Sequence, residues 1–575
     1  MAVADRRALF WLALGATFGC ARAAEPVGAP PSLPGPAASS ARAPVQVAPD
    51  HRPALALTLS PKLMPAPVVA VTLELRGPPD ELRRLSLARA PGSGVSAIAA
   101  RDLEGPIGVE LSAEGDGLVL ALARAPSPPL SLSYERAASA FSSGPLGVFL
   151  DPNRLAAAGD ALFALPAAWA DRQVPTQLGI EAQKLHPDAR GASGFGVGER
   201  RTLTLSGAAL RRMSFLAGPM GHAVLDGPEG HDEVAWLGYT SFDPRSVAAE
   251  VASFRSAARE YLGEKRSAPF TLLLVSDGRP AGSFEAMRQS ASVLLHVGVN
   301  QSYGGPLRVA LAHQLLREWM GPALWIGPPG AESLWFVEGV TRFLARELCF
   351  RFGLLTPGEY LAEADEIERL VVTSPHALLG NAELAKRAAE PDVAALLVAR
   401  GARHATSADS LIRGKSKGKR SLDGVLRELY RKPQPLPESA WVDALERELG
   451  AGGGELFREE IGAGRMRGLP NDALGPCFVA GPRRFESFAL GFERDAGGSV
   501  TRVATGGAAE RAGVRVGDRV VSLLHQPGSP SVPVRLQIER AGSKRELEYR
   551  PVGPVFAGRG FSRLPRVPDE RCARK

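Results

Sequence analysis

Cysteine is scarce in this chain, and its placement limits the chemistry. The 575 residues include four cysteines, and no two of them form a C-x-x-C motif or a Cys/His cluster with zinc-site spacing. Zinc fingers and clustered-thiol metal centres are therefore excluded. Cys477 and Cys572 flank the last part of the chain, and we expect them to form a disulfide if the protein is exported to an oxidising compartment.

The sequence also lacks a concentrated basic segment and an apolar run long enough to cross a bilayer. Its 68 Lys and Arg residues and 61 Asp and Glu residues leave a net charge of +7, which is spread along the whole chain. No basic helix with interleaved aromatic residues is present, so nucleic acid is not an expected partner. The apolar run Leu9–Gly19 follows Arg6 and Arg7 and has the length of a signal-peptide core.

Residues 1–24 are therefore predicted to be a signal peptide, with two possible ends. The tripeptide Ala21-Arg-Ala23 is an A-x-A cleavage site, whereas Gly19-Cys20 is similar to the end of a lipobox. The mature protein is thus expected in the periplasm, or as an outer-membrane lipoprotein with a lipid anchor at Cys20. Residues 25–52 are rich in Pro, Ala and Ser and predict a linker.

The rest of the chain divides by pattern, and its length suits about three domains. Residues 53–242 contain short apolar runs between Gly, Pro and Asp signals, which predict a β-rich domain. Residues 243–470 are mainly helical and begin with Asp243 as a helix cap before Pro244. Residues 471–560 return to a β pattern, and 561–575 form a polar tail. The expected class is multidomain α+β.

Two predicted helices in the second domain carry the most informative residues. Apolar residues recur at helical spacing in Val309–Trp319 and in Leu334–Leu344. His313 and Arg317 are four residues apart and so share one helix face. Zinc peptidases with the H-E-x-x-H motif have His at both of these positions and a Glu base directly after the first His, where this chain has Gln314.

The second helix contains Trp335-Phe-Val-Glu338-Gly339-Val-Thr341, which resembles the W-x-x-E-G-x-T segment of gluzincin aminopeptidases. In that family its Glu is the third zinc ligand, so the resemblance implies that Glu338 stands at a ligand position. Trp319 also fits the glycyl aminopeptidase branch of the group. The resemblance implies a β-rich domain followed by a helical, gluzincin-like peptidase domain.

Two further segments resemble functional parts of the same family. Gly282–Ala286 lies where the family has a G-G-L-E-H-like loop for the free amino end of the substrate, which implies an amine-binding role for Glu285. Leu397–Gly401 lies where the family has Y-Y-x-K-G. Val398 stands there in place of the catalytic Tyr.

The C-terminal domain resembles a PDZ domain, which the family carries at this end, through Phe488–Phe492, Gly506–Val514 and Val534–Arg540. The resemblance implies that Leu490, Gly491 and Phe492 form its peptide-binding loop. The second wall of a PDZ groove is a helix, here expected between Val521 and Val534. Three prolines and a glycine in that interval forbid such a helix, so we expect a shallow groove.

The sequence as a whole predicts an aminopeptidase-like scaffold with a degenerate site. Zinc sites use three or four ligands, but only His313 and Glu338 remain, since Arg317 replaces the second His. Gln314 cannot act as a general base. We therefore expect no cofactor, no catalysis, and a role in binding a peptide or protein partner or as an envelope scaffold.

Two further expectations concern the replaced ligand. The alternative function is an active zinc aminopeptidase with non-standard ligands. If the site has instead lost its metal, Arg317 and Glu338 should form an ion pair with an N–O distance of about 2.7–3.2 Å.

Overall fold

A computed structural model describes residues 53–88, 94–115, 117–138, 147–227, 230–264, 269–289, 291–495 and 497–572. The predicted signal peptide, the linker and Cys20 lie outside the described residues. In the part of the chain that is described, no helix is long and apolar enough to cross a membrane.

The N-terminal region is built almost entirely from strands. They are β1 (Leu55–Lys62), β2 (Val68–Leu75), β3 (Arg84–Ala88), β4 (Val95–Asp102), β5 (Gly105–Ile107), β6 (Val109–Glu114), β7 (Gly117–Leu122), β8 (Leu130–Ala137), β9 (Val148–Leu150), β10 (Leu155–Ala158), β11 (Leu165–Pro166), β12 (Gln173–Ile180), β13 (Arg190–Ser193), β14 (Gly196–Val197), β15 (Arg200–Ser206) and β16 (Ser214–Gly218). The short helices α1 (Pro79–Leu82), α2 (Gly159–Leu162) and α3 (Gly207–Arg211) and the 3-10 turns Ala167–Trp169 and Ala182–Lys184 connect them.

These strands form three sheets around one apolar core. The orders are β15-β12-β1-β2-β8-β4-β5, β11-β3-β7-β6 and β14-β13-β16-β10-β9. Alternate residues of β2 are buried, as a strand with only one face in the core requires.

The middle region begins with a five-stranded sheet. Its strands are β17 (Met220–Gly227), β18 (Gly230–Leu237), β19 (Thr271–Asp277), β20 (Phe284–Arg288) and β21 (Ser292–Gly298), and their order is β17-β18-β19-β21-β20. Every residue of β19 is buried, as expected for a strand covered on both faces. The structure places the hairpin 220–237 in this sheet, although the sequence pattern groups it with the β-rich domain 53–242. The pattern of a strand does not reveal which sheet it joins.

Helices make up the remainder of the middle region. They are α4 (Pro244–Leu262), α5 (Gly305–Leu316), α6 (Thr341–Arg351), α7 (Pro357–Thr373), α8 (Asn381–Lys386), α9 (Pro391–Lys415), α10 (Leu422–Tyr430), α11 (Glu438–Leu449) and α12 (Gly452–Phe457), with a 3-10 turn at Ala331–Ser333 and π-helical segments at Trp335–Val340 and Arg458–Gly462. As expected, the Asp243 side chain caps α4, accepting a hydrogen bond of 3.0 Å from the Arg245 N–H.

The C-terminal region is β-rich, as the sequence predicts. It contains β22 (Phe478–Phe488), β23 (Phe492–Arg494), β24 (Val500–Val503), α13 (Ala508–Arg511), β25 (Arg519–Leu524), β26 (Val534–Arg540), β27 (Ser543–Tyr549), β28 (Val552–Arg563) and a 3-10 turn at Asp569–Arg571. The connection 525–533, all of it described, contains no helix, and this expectation is confirmed. Strand β28 runs past position 560, where the polar tail was expected to begin.

The C-terminal region is joined to the helices by a ribbon of β22 and β28, which packs on α7. Cys477 and Cys572 close the base of this ribbon in a disulfide, with Cα atoms 5.2 Å apart. The predicted disulfide is confirmed. Both cysteines are fully buried in the large core that the helices share.

The disulfide should contribute measurably to stability, because it closes a loop with a sequence separation of 95. In the chain-entropy account a loop of this length raises the free energy of unfolding by about 4 kcal/mol. We expect reductant to lower the melting temperature of the wild type. The double variant Cys477→Ser/Cys572→Ser should melt at that lower temperature with or without reductant. Equal melting of the wild type in both conditions would contradict this prediction.

Two glycines let α9 approach the π-helical segment Trp335–Val340 at backbone contact. A Cβ on Gly401 would lie 1.8 Å from the Trp335 carbonyl oxygen, and a Cβ on Gly339 would lie 2.7 Å from the Gly401 Cα. Any side chain at these positions would push the two elements apart. The contact fixes the residue before Gly339, which is Glu338.

We predict that Gly401→Ala lowers the free energy of unfolding by about 3 kcal/mol, because overpacking against backbone cannot relax by rotamer change. Gly414→Ala is the matched control on the same helix, since a Cβ placed on Gly414 would have no atom within 4 Å. That control should be neutral or stabilising by up to about 1 kcal/mol. Denaturant titration of both variants provides the measurement, and equal stability of the two would refute the packing account.

Candidate functional site

Helix α5 presents His313 and Gln314, and both side chains are buried. The helix ends at Leu316, before the predicted end at Trp319, and Arg317 is its C-cap residue with φ −67° and ψ 0°. The helix ends early because its last turn narrows to hydrogen bonds between residues three apart. Glu318 and Trp319 donate their N–H groups to carbonyls three residues earlier, at 3.0 Å each.

Glu338 comes from the π-helical segment Trp335–Val340 rather than from a regular α-helix. Single π turns inside helices occur frequently at functional sites. Thr341 begins α6 directly after this turn, and its hydroxyl donates to the Val337 carbonyl at 2.5 Å. The segment predicted as one helix, Leu334–Leu344, therefore consists of a π-helical turn followed by the start of the α-helix α6. Glu338 lies in the π-helical turn, which faces α5.

The three side chains meet in one ionic cluster. Arg317 Nη2 lies 3.1 Å from Glu338 Oε1, so the expected ion pair is present. His313 Nε2 lies 3.2 Å from Glu338 Oε2 and 3.1 Å from the Glu338 carbonyl oxygen, so an Nε2–H can donate to either acceptor. The Glu338 side chain is 9% exposed and that of Arg317 is 30% exposed.

This arrangement keeps Glu338 ionised. Burial by itself raises the pKa of the carboxyl, but the charge of Arg317 and the hydrogen bond from His313 outweigh it and lower the pKa to about 2. Because the folded pKa lies below the unfolded value, the cluster stabilises the fold above pH ~4.5 and loses that contribution as pH falls towards 2.

The residues present do not fit a zinc ion. Within the described residues, no three His, Cys, Asp or Glu side chains are grouped so that they could hold a metal. His313 and Glu338 are only two donors, whereas zinc takes three or four. The third side chain of the cluster, Arg317, is a guanidinium that carries a permanent positive charge and cannot serve as a metal ligand.

Gln314 has a structural contact that sequence reasoning did not identify. Its Oε1 accepts a hydrogen bond of 2.9 Å from the backbone N–H of Arg288, at the end of β20. The amide therefore ties α5 to the edge of the five-stranded sheet. The two residues are 26 apart in sequence, so no local pattern could have indicated the contact.

Glu285, the residue that the resemblance places in an amine-binding loop, lies on β20 and has a separate partner. Its Oε2 is 3.6 Å from Arg279 Nη1, and Arg279 is also paired with Asp277, with Nε 2.9 Å from Oδ1. The charge of Glu285 is thus compensated by a neighbouring guanidinium rather than left open.

Val398 lies on α9, fully buried, and its carbonyl oxygen faces Gly339. Two residues on, Arg400 donates to the carbonyls of Leu379 at 2.7 Å and Ala377 at 2.9 Å. Burial lowers the pKa of Arg400 to about 10. The basic residue and the glycine of this segment therefore serve packing and backbone hydrogen bonding.

Of the three residues expected in a peptide-binding loop, Leu490 and Gly491 lie in the connection between β22 and β23, and Phe492 begins β23. Gly491 has φ +82°, the left-handed conformation that glycine adopts without strain. The Leu490 carbonyl accepts a hydrogen bond of 2.7 Å from the Tyr549 hydroxyl, and Phe492 is buried in the core of that region.

A second ionic group lies next to Arg317 in sequence and was missed. Glu318 Oε2 lies 3.3 Å from Arg255 Nη2 and 3.7 Å from Arg288 Nη2. Arg255 also contacts Asp232, at 2.9 Å. Arg255 is far from Glu318 in sequence, and only the fold brings it close. With the Arg317–Glu338 pair, three arginines face three carboxylates around the site.

We predict that Arg317→Ala lowers the free energy of unfolding by about 3 kcal/mol, because it leaves the buried Glu338 carboxylate without its cation. The double variant Arg317→Ala/Glu338→Gln should recover most of this loss. Denaturant titrations from pH 2 to 7 provide the measurement. The wild type should lose stability as pH falls from 4.5 towards 2, and Glu338→Gln should show a shallower slope. A wild-type stability for Arg317→Ala would overturn this account.

Comparison with known proteins gives fold likeness only. No protein-family model matches the sequence, and no curated protein matches it significantly. Among solved structures, an aminopeptidase N family protein from Idiomarina loihiensis aligns with a TM-score of 0.62 and 16% identity, over 88% of this chain and 98% of that one.

Two other solved structures align less well. An M1 zinc metallopeptidase from Deinococcus radiodurans aligns with a TM-score of 0.45 and 17% identity, over 72% of this chain and 94% of that one. Native leukotriene A4 hydrolase from Saccharomyces cerevisiae gives 0.45 and 13%, over 72% and 68%. The likeness to the Idiomarina loihiensis structure confirms the expectation of an aminopeptidase-like, multidomain α+β fold, and the chain shares the fold of that aminopeptidase N family protein.

Proposed function

We propose that this chain is an exported, aminopeptidase-like protein that binds a peptide or protein segment without cleaving it. The observation that supports this most directly is the Arg317–Glu338 ion pair of 3.1 Å. The Glu338 carboxylate already has its charge compensated by a guanidinium, and the Nε2 of His313, its other neighbour, is directed at the same carboxylate. The scaffold therefore has an aminopeptidase-like fold without the donor set of a zinc centre among the described residues.

Two other groups that a zinc peptidase needs for hydrolysis, a general base and a tyrosine hydroxyl, are also missing. Hydrolysis needs a group that takes a proton from water, a step worth ~10²–10⁴-fold, and an amide cannot supply it. The Gln314 amide is moreover engaged with the Arg288 N–H. Val398, at the position where the resembling family has a tyrosine, is fully buried and has no hydroxyl to offer. Three separate differences from the resembling family, at Gln314, Arg317 and Val398, thus support the absence of catalysis.

The proposed function also assigns roles to the two ends of the chain. The C-terminal region is a PDZ-like module whose groove lacks its helical wall, because the connection 525–533 is not helical. It then contributes packing more than peptide capture, and titration with a C-terminal peptide library should give no micromolar binder. At the other end, we propose export, followed either by cleavage at Ala21-Arg-Ala23 and release into the periplasm or by attachment to the outer membrane through a lipid anchor at Cys20. Metabolic labelling with palmitate distinguishes the two.

The central experiment measures zinc and hydrolysis in the purified wild type. We expect elemental analysis to find far less than one zinc per chain, and Gly- and Ala-anilides to remain uncleaved. Stoichiometric zinc with anilide hydrolysis would overturn the proposal and favour an active aminopeptidase with non-standard ligands.

A second experiment tests whether zinc binding can be restored by substitution at the site. Arg317→His supplies a third donor beside His313 and Glu338, so the variant Gln314→Glu/Arg317→His should bind zinc measurably more tightly than the wild type. Gln314→Glu/Arg317→Lys is the matched control, because it has the same new carboxylate and no new ligand. Isothermal titration with zinc should separate the two. Equal affinities would show that Arg317 does not occupy a ligand position.

A further inference from the structure

Helix α7 lies along the ribbon of β22 and β28 and contacts it through apolar side chains at both ends. Near the base of the ribbon, the rings of Tyr360 and Phe478 have centroids 5.5 Å apart. Further along, a Cβ placed on Gly558 would lie 2.8 Å from the Phe485 ring and 3.4 Å from Cγ1 of Val372. Phe478 and Phe485 are accordingly buried between the ribbon and the helix.

A buried carboxylate, that of Asp365 on α7, lies between these apolar contacts. Its cation is Arg483 of β22, whose Nη1 lies 2.8 Å from Oδ2, but the Arg483 side chain is 45% exposed. The other oxygen, Oδ1, has no hydrogen-bond partner among the described residues, and a Cβ placed on Gly560 of β28 would lie 3.0 Å from it. Ionising a carboxylate in such a place is costly, because a solvent-exposed cation compensates it only weakly.

The charges nearest to Asp365 on its own helix are negative. Glu366 and Glu368 both repel its carboxylate. Each of them is itself paired, Glu366 with Arg369 at 2.6 Å and Glu368 with Arg403 of α9 at 2.6 Å. These two pairs reduce the repulsion but leave no cation for Asp365.

The other elements packed on α7 have their charged side chains paired with other groups. Among the described residues, Arg483 is the one cation within ion-pair distance of Asp365. The remaining pairs are Arg308 of α5 with Glu250, Arg342 of α6 with Glu363, Glu486 of β22 with Arg550, and Arg563 of β28 with Asp569.

The electrostatics of this place favour the neutral acid. Burial raises the pKa of the Asp365 carboxyl to about 6, against the opposing charge of Arg483. If the ribbon leaves α7, the carboxyl is hydrated and its pKa returns to about 4. Because the docked pKa is the higher one, this group stabilises docking fully below pH ~4, and the contribution is lost as pH rises through 6.

The Cys477–Cys572 disulfide lies under the same contact. Cys477 directly precedes Phe478 at the base of the ribbon, and both cysteines are fully buried. A reductant therefore reaches the sulfur atoms only through an opening of the structure, and the rate of reduction follows the population of the open form.

We propose that α7 and the ribbon form an acid-stabilised junction, in which protonated Asp365 keeps the ribbon docked and its ionisation near neutral pH lets the ribbon open and expose the disulfide. Opening would also release the connection 525–533, because Arg369 of α7 holds it through a hydrogen bond of 2.6 Å to the Gly528 carbonyl. The inference goes beyond the proposed function and does not depend on it.

The test measures disulfide reduction in the folded full-length protein at pH 4.5, 6 and 7.5. The reductant is tris(2-carboxyethyl)phosphine, and each rate is divided by the rate for oxidised glutathione at the same pH, which removes the pH dependence of the reductant. We expect this normalised rate to rise about twentyfold in the wild type from pH 4.5 to 7.5, as a carboxyl with the two stated pKa values requires.

Two substitutions with matched controls assign the effect to Asp365. Asp365→Asn keeps the size of the side chain but cannot ionise, so its normalised rate should stay near the wild-type value at pH 4.5 throughout. Glu486→Gln, at a carboxylate of β22 that is 44% exposed, should keep the wild-type rise. Arg483→Gln removes the opposing cation and should steepen the rise, whereas Arg484→Gln, at the adjacent exposed residue, should not.

A normalised rate that does not change with pH in the wild type, or an equal rise in Asp365→Asn, would overturn the inference. If Asp365→Asn does not fold by circular dichroism, Arg483→Gln decides. A steeper rise than in the wild type then supports the junction, and an unchanged rise refutes it.

Discussion

A buried carboxylate needs a positive partner, and the candidate site is organised by this requirement at Glu338. Isolated in a protein interior, an ionised carboxylate would cost several kcal/mol, and a metal ion is only one way to offset that cost. Here the guanidinium of Arg317 and the ring N–H of His313 do so, and the pKa of Glu338 falls to about 2. The cluster therefore gives a physical reason for a Glu at this position without reference to catalysis.

The backbone that positions this carboxylate depends on packing rather than on charge. Gly339 and Gly401 allow two helical elements to touch at their main chains, and the π turn rotates Glu338 towards α5. None of these contacts involves a metal. The position of Glu338 is thus set by close-packed backbone neighbours and not by the side chains of Gln314 and Arg317.

Prediction from sequence succeeded where the signal was local. The helical spacing around His313 and Glu338, the prolines after Val521, and the cysteines at the ends of the last region each led to an observed feature. It could not indicate the Gln314–Arg288 hydrogen bond or the contacts of Glu318 with Arg255, since these join residues that only the tertiary fold brings together. The π turn was also missed, because apolar spacing does not distinguish it from an α-helix over a single turn.

The disulfide has a topological consequence for how the protein would respond to proteolysis. Cys477 and Cys572 enclose all the strands from β22 to β28. A single cut by a protease at any exposed turn within this span would leave both fragments covalently joined, and the ribbon would remain packed on α7. Such a nicked molecule would keep its packing contacts, and its two fragments would separate only after the disulfide is reduced. In an environment rich in proteases and poor in reductants, the disulfide thus keeps the C-terminal region covalently attached even after its backbone is cut once.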